Sequence, residues 1–165
     1  MAHRSPISRS DSSDNARCLL CVDDHPEVLA IMGEFLRVSG YSVLTAPSGV
    51  RGLELLQRNL VDAVILDYEM PKMDGAELAL RIKSGWPELP VLMFTGYPAD
   101  VPEDVRRSVD GFVVKGDPAD KLLQTIRELI PVNGNGATKK AAGQVRRMKR
   151  NGRSATSARR ARRPA

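Results

Sequence analysis

Five side chains in this sequence are of the types needed to accept and hold a phosphoryl group: Asp23, Asp24, Asp67, Thr95 and Lys115. Each stands at the carboxyl end of a short apolar run, since 18–22 leads into Asp23-Asp24, 63–67 ends in Asp67, 89–95 ends in Thr95 and 111–114 leads into Lys115. Three carboxylates gathered at one place repel one another, and some would be driven to protonate unless a cation joined them. Few protein ligands are on offer, which favours Mg2+, an ion that keeps several waters and is often held by one or two carboxylates plus phosphate oxygens. Asp24 and Asp67 are the expected direct ligands, with Asp23 acting through water. With the negative charge shielded, a carboxylate oxygen of Asp67 could attack phosphorus and form an acyl phosphate. Lys115 would set a fixed positive charge against the phosphoryl oxygens, and the Thr95 hydroxyl would donate a hydrogen bond to one of them.

These residues need a frame that brings strand ends together. The four runs, with a fifth at 41–46, carry Val, Leu or Ile on consecutive positions, as strands buried on both faces do. Between them apolar residues recur at helical spacing: Val28, Ile31, Met32 and Phe35; Val50, Leu53 and Leu60; Leu78 and Ile82; Val101, Val105 and Val109; Leu122, Ile126 and Leu129. Five strand–helix alternations predict an α/β fold, a parallel sheet with helices on both faces. In such sheets ligands bind beyond the carboxyl ends of the strands. The second run ends in Ala46-Pro47, which offers no chemistry, so strands one, three, four and five are expected to adjoin with strand two at an edge. Asp100 followed by Glu103 reads as a capping box, and Asp117 as a cap before Pro118.

The pair Asp23-Asp24, the stretch Leu66-Asp67-Tyr68-Glu69-Met70-Pro71-Lys72-Met73-Asp74-Gly75, the pair Thr95-Gly96 and Lys115 resemble the response-regulator receiver family of two-component signalling. They occur in that family's order, at intervals of 43, 28 and 20 residues from Asp24 through Asp67 and Thr95 to Lys115, and the likeness covers about residues 17–131. The resemblance implies a five-stranded parallel sheet in order 2-1-3-4-5 flanked by five helices, the flavodoxin-like receiver fold. It implies that a histidine kinase or phosphotransfer protein donates the phosphoryl group to Asp67, and that the backbone carbonyl of Glu69 completes the Mg2+ site. It also implies a switch in which Thr95 moves toward the phosphoryl group and Phe112, three residues before the lysine, turns inward. The physical content of that switch is a population shift of a bistable surface, formed by helix 4, strand 5 and helix 5, which meets a downstream protein or a second copy in a homodimer. Such a protein is no general enzyme, because it catalyses only its own phosphoryl transfer and dephosphorylation. One departure stands out: Gly116 follows Lys115 where the family usually has proline. Glu69 and Tyr97 occupy positions that in the family affect how readily water reaches the acyl phosphate.

The formal net charge of +5 divides unevenly, since residues 133–165 hold 11 of the 25 Lys+Arg and none of the 20 Asp+Glu, leaving the remainder at 14 minus 20, or −6. Residues 1–16 are polar and Ser-rich and are expected to form a disordered leader; 132–165 are expected to form a basic, disordered tail. That tail has no aromatic residue to stack bases and no apolar face to bury. It reads either as a solvated extension or as an electrostatic arm that contacts nucleic acid without sequence preference, or an acidic partner. Cys18 and Cys21 sit within an apolar run and read as small hydrophobes, with no second Cys or His pair to complete a zinc site. No run approaches the about 18 apolar residues of a membrane span, so a cytoplasmic protein is expected.

Two other classes compete. A binding module could keep the fold and signal without phosphorylation. A phosphatase of the haloacid dehalogenase type also combines aspartate, threonine and lysine, but its Asp-x-Asp belongs near the chain start, whereas Asp67-Tyr68-Glu69 lies on the third strand. His25 reads as a solvated residue opening the first helix, Trp86 as a cover for the end of the third, and Asp74-Gly75 as a turn and helix cap.

Overall fold

The computed structural model describes residues 16–131. Five strands, β1 (Cys18–Val22), β2 (Ser42–Ala46), β3 (Ala63–Leu66), β4 (Val91–Thr95) and β5 (Gly111–Val114), alternate with five helices, α1 (Pro26–Val38), α2 (Gly49–Arg58), α3 (Gly75–Gly85), α4 (Glu103–Ser108) and α5 (Ala119–Leu129). The strands are parallel in the order β2-β1-β3-β4-β5. The expected sheet, its order and the edge position of the second strand are all present. The leader and tail expectations lie outside the described residues.

Side chains alternate across each strand, so each strand feeds two cores. Leu20, Val22, Val64, Leu66, Val91 and Met93 pack with Leu56, Leu78, Ile82 and Val101, from α2, α3 and the approach to α4. Leu19, Cys21, Ile65, Leu92 and Val113 pack on the other face with Leu29, Met32, Leu36, Leu122 and Ile126 from α1 and α5. Fully burying each such aliphatic side chain contributes about 1.5–3 kcal/mol, which is why the runs are continuous and not alternating. The pairing register aligns Ala46, Val22, Leu66, Met93 and Phe112 in one row across the sheet. Everything that follows that row in sequence therefore emerges at one end.

Several local expectations are corrected. Leu60 lies beyond α2 and is exposed, as is Val50; the buried face of α2 is instead Gly49, Gly52 and Leu56. The capping box at Asp100 and Glu103 does not form. Asp100 closes a 3-10 turn at Pro98–Asp100, and α4 starts after Pro102 without a side-chain cap. Asp117 is not the cap of α5, whose N-cap is Pro118; its carboxylate accepts the Val114 N–H (3.0 Å) and the Lys121 ammonium (2.7 Å) instead. In both cases a proline next to the helix start moves the boundary past the carboxylate. Asp74 does cap α3, accepting the Glu77 N–H at 2.8 Å, and Trp86 caps its far end while packing on the core. Cys18 and Cys21 lie on one strand, about 10 Å apart at their α-carbons by strand rise, too far for a disulfide. Among the described residues no helix is long and apolar enough to cross a membrane.

Candidate functional site

Asp23 and Asp67 follow the row from Ala46 to Phe112 by one residue, Thr95 by two and Lys115 by three, so all four gather at that end of the sheet. Asp23 follows Val22 and Asp67 follows Leu66, and the Asp67 N–H donates to the Val22 carbonyl at 2.9 Å. Thr95 ends β4, and Lys115 follows β5 with its N–H donating to the Thr95 carbonyl at 2.8 Å. Among the described residues, the buried polar ones are Asp23, Asp67 and Thr95, at 1%, 5% and 0% exposure. Burying two carboxylates side by side is costly unless a cation answers them. Lys115 does so: its Nζ lies 2.7 Å from Asp23 Oδ2 and 2.9 Å from Asp67 Oδ2, joining residues 92 apart in sequence.

The charges interact as expected for a crowded, half-dry site. Burial pushes the Asp67 carboxyl above its ordinary value; the Lys115 ammonium and the Tyr68 N–H (2.8 Å to Oδ1) pull it back, while Asp23 pushes it further. Lys115 also sits above its ordinary value: burial opposes its charge, but the bonds to Asp23 and Asp67 together outweigh that opposition. The Asp67 loop is held by α3, whose first residue, Gly75, donates its N–H to the Tyr68 carbonyl at 2.8 Å. A side chain there would collide with backbone, since a Cβ at Gly75 would stand 2.2 Å from the Asp67 carbonyl oxygen.

Asp24 is less buried than Asp23, with 26% of its side chain exposed, yet its Oδ1 is buried and accepts no hydrogen bond. One ligand atom from each of Asp23, Asp24, His25 and Asp67 lies within 4.8 Å of the others. An orphaned carboxylate oxygen beside two more carboxylates is a donor set of hard oxygens, and it fits Mg2+. Asp24 and Asp67 would hold such an ion; bound there, it would shield the carboxylates and offer coordination to phosphoryl oxygens.

The family profile described as the response regulator receiver domain matches residues 19–127 of this chain. The chain belongs to the response-regulator receiver family. The receiver is 39% identical over 115 residues to the transcriptional regulatory protein GlrR of Escherichia coli, a match covering 68% of this chain and 26% of GlrR. The chain thus spans about a quarter of that relative. Among solved structures it is similar to the response regulator protein TrrA of Thermotoga maritima in complex with Mg2+ and BeF, at 30% identity and a TM-score of 0.63, covering 69% of this chain and 99% of that one. The complex of histidine kinase ThkA with TrrA gives a TM-score of 0.65 at 30% identity, covering 69% and 98%.

Of the residues singled out in sequence, the receiver brings Asp23, Asp24, Asp67 and Lys115 into one cluster. Thr95 stands at the end of the neighbouring strand, where its hydroxyl accepts the Tyr97 N–H at 3.2 Å. Glu69 is exposed in the loop after Asp67. Phe112 is half-buried on β5, with the Arg106 guanidinium 4.4 Å over its ring centroid. Arg106 also donates to the carbonyls of Pro98 and Val101, tying the loop after Thr95 to the Phe112 ring. Sequence reasoning passed over Arg106, because an arginine on a charged, six-residue helix carries no signal of what it will reach. It also set His25 aside as solvent-facing. The ring is indeed exposed, but Nδ1 lies 3.3 Å from Asp23 Oδ1 and 3.1 Å from Asp24 Oδ1.

Proposed function

We propose that Asp67 is the phosphoacceptor of this receiver, charged by a histidine kinase or phosphotransfer protein and read by a downstream protein partner. The observation that carries this is the Asp67 carboxylate, 95% buried yet held 2.9 Å from an ammonium and next to a second acidic pair. A carboxylate in that setting is stripped of most competing water and faces a fixed positive charge. One Asp67 oxygen attacks phosphorus, the donor's bond to phosphorus breaks, and its electron pair leaves with the donor. Lys115 then answers the phosphoryl charge, and Thr95 exchanges its bond with the Tyr97 N–H for donation to a phosphoryl oxygen. Mg2+ is the cofactor that the oxygen donors of Asp23, Asp24 and Asp67, with the Glu69 carbonyl, would serve.

The output follows from the connection between Thr95 and Phe112. Movement of Thr95 draws the following loop, which Arg106 ties to Phe112. The face of α4, β5 and α5 thereby has two arrangements for a partner or a second copy to distinguish. The receiver so described turns over only its own phosphoryl group. The division into leader 1–16, receiver 17–131 and tail 132–165 belongs to the same proposal, with the tail acting as an electrostatic arm toward nucleic acid or an acidic partner. Its 11 basic and no acidic residues over 133–165, against a remainder at −6, support that role.

The test is intact mass after incubation with acetyl phosphate and Mg2+, for wild type, Asp67→Asn and wild type with chelator. One added phosphoryl mass, in metal-containing wild type alone, is expected. A phosphorylated Asp67→Asn variant would place the acceptor elsewhere, and multiple turnover of a phosphate ester would favour the phosphatase class.

A further inference from the structure

We propose that His25 is an additional protein ligand at the cation site of this receiver, and that it raises the site's affinity for a first-row transition dication relative to Mg2+. The inference rests on the cation reading of the site given above. His25 is the residue that opens α1, but its ring makes no cap bond there; its backbone N–H is bonded to Asp23 Oδ1 at 2.9 Å, and Pro26 follows. That backbone bond fixes where the ring emerges, at the mouth of the acidic cluster with 63% of the side chain exposed.

The His25 ring is within hydrogen-bond reach of Asp23 Oδ1, and the same spacing suits ligands that share one ion. Neighbouring donors around an octahedral ion with bonds of about 2.1 Å stand about 3.0 Å apart, and opposite donors about 4.2 Å. Nδ1 of His25 is 3.1 Å from Asp24 Oδ1 and 3.3 Å from Asp23 Oδ1, and the four-residue set spans no more than 4.8 Å. A contraction of about 0.6 Å, from 4.8 to 4.2 Å, would close it. Asp24 Oδ1 is within 3.1 Å of the ring and still accepts no hydrogen bond, so proximity to His25 does not satisfy it. Imidazole is a poor partner for Mg2+, which demands hard oxygen donors, and a good one for transition dications. A ring placed here therefore changes which ion the same three carboxylates prefer.

The chain has two histidines, His3 and His25, so the full-length protein carrying His3→Ala has His25 as its sole imidazole. Mn2+ and Mg2+ binding are measured by calorimetry, and pulsed electron paramagnetic resonance of bound Mn2+ reports any directly coordinated histidine nitrogen. Expected is a nitrogen coupling that disappears with His25→Ala, while Mn2+ affinity falls at least as far as the about tenfold lost when outer partners of a metal ligand are removed, and Mg2+ affinity holds. No histidine coupling, or equal shifts of both ions in His25→Ala, would overturn the assignment and leave His25 as a charge neighbour only. If Mg2+ nevertheless binds and Asp24→Asn abolishes it, the cation site stands and His25 alone is removed from it. If neither ion binds the His3→Ala protein, the cation reading falls and His25 falls with it.

Discussion

Replacing Gly75 by alanine probes the geometry that places Asp67. The added methyl would stand 2.2 Å from the Asp67 carbonyl oxygen, 2.7 Å from Tyr68 Cα and 3.0 Å from the Asp67 carbonyl carbon, where ordinary contact begins at 3.4 Å. All three atoms are backbone, so no rotamer change relieves the clash, and the loop or the helix must open by 3.4 minus 2.2, or 1.2 Å. Overpacking of this kind costs about 1–3 kcal/mol. Opening also stretches the bond from the Gly75 N–H to the Tyr68 carbonyl, 2.8 Å in the native domain, which adds about 1 kcal/mol. A loss of about 2–4 kcal/mol is a large part of the about 5–15 kcal/mol that holds a domain together. The site suffers as well, because a displacement of about 1 Å in a reacting group costs roughly 100-fold in rate. Gly85 provides the control: it ends the same helix, a Cβ there meets nothing within 4 Å, and Gly85→Ala should be neutral or stabilising by about 0.5–1 kcal/mol. Urea unfolding followed by circular dichroism, with the rate of mass gain from acetyl phosphate, measures both effects. If Gly75→Ala unfolds and phosphorylates like wild type while Gly85→Ala does too, the close approach of α3 does not position Asp67.

Asp67→Asn should raise stability in metal-free buffer at neutral pH. Burial, the largest influence, raises the carboxyl above its ordinary value, so the folded state binds its proton more tightly than the unfolded one; the Asp67 contribution to stability should fall as pH rises above 3.8, making the wild type lose stability with pH relative to the variant. Urea midpoints across that range decide it, and a variant less stable than wild type at pH 7 would contradict the sign. Thiol reagents should leave Cys21 untouched in the folded protein, because burial pushes its thiol up to about 12; peptide mapping that finds Cys21 alkylated before unfolding would contradict its place in the core. Removing residues 133–165 takes the net charge from +5 to −6 and should abolish binding to DNA; with the tail present, affinity should fall steeply with salt and show little sequence preference. A strong sequence preference in a gel-shift series would exclude the electrostatic arm. Arg106→Met should speed amide exchange in the loop from Tyr97 to Val101, and unchanged exchange by mass spectrometry would detach Arg106 from that loop.

The alternation of apolar runs and helical spacings was enough to determine a parallel sheet with helices on both sides, because burial on two faces leaves a continuous pattern such as Ala63–Leu66 that no half-exposed strand carries. The position of each polar residue after its run was enough to put Asp23, Asp67, Thr95 and Lys115 at one end, since parallel strands all finish on the same side. Local helix starts were less legible. Asp100 and Asp117 look like caps by residue type, and the prolines at 102 and 118 decided otherwise. Only the folded chain settled how charges pair over long separations: one Lys115 ammonium spans Asp23 and Asp67, leaving Asp24 Oδ1 with no donor. The same holds for His25 and Arg106, whose surroundings depend on where a neighbouring strand or loop ends. A sequence states which groups are present and in what order, but an electrostatic contact falls off over a few ångströms, and distances on that scale are set by register and packing.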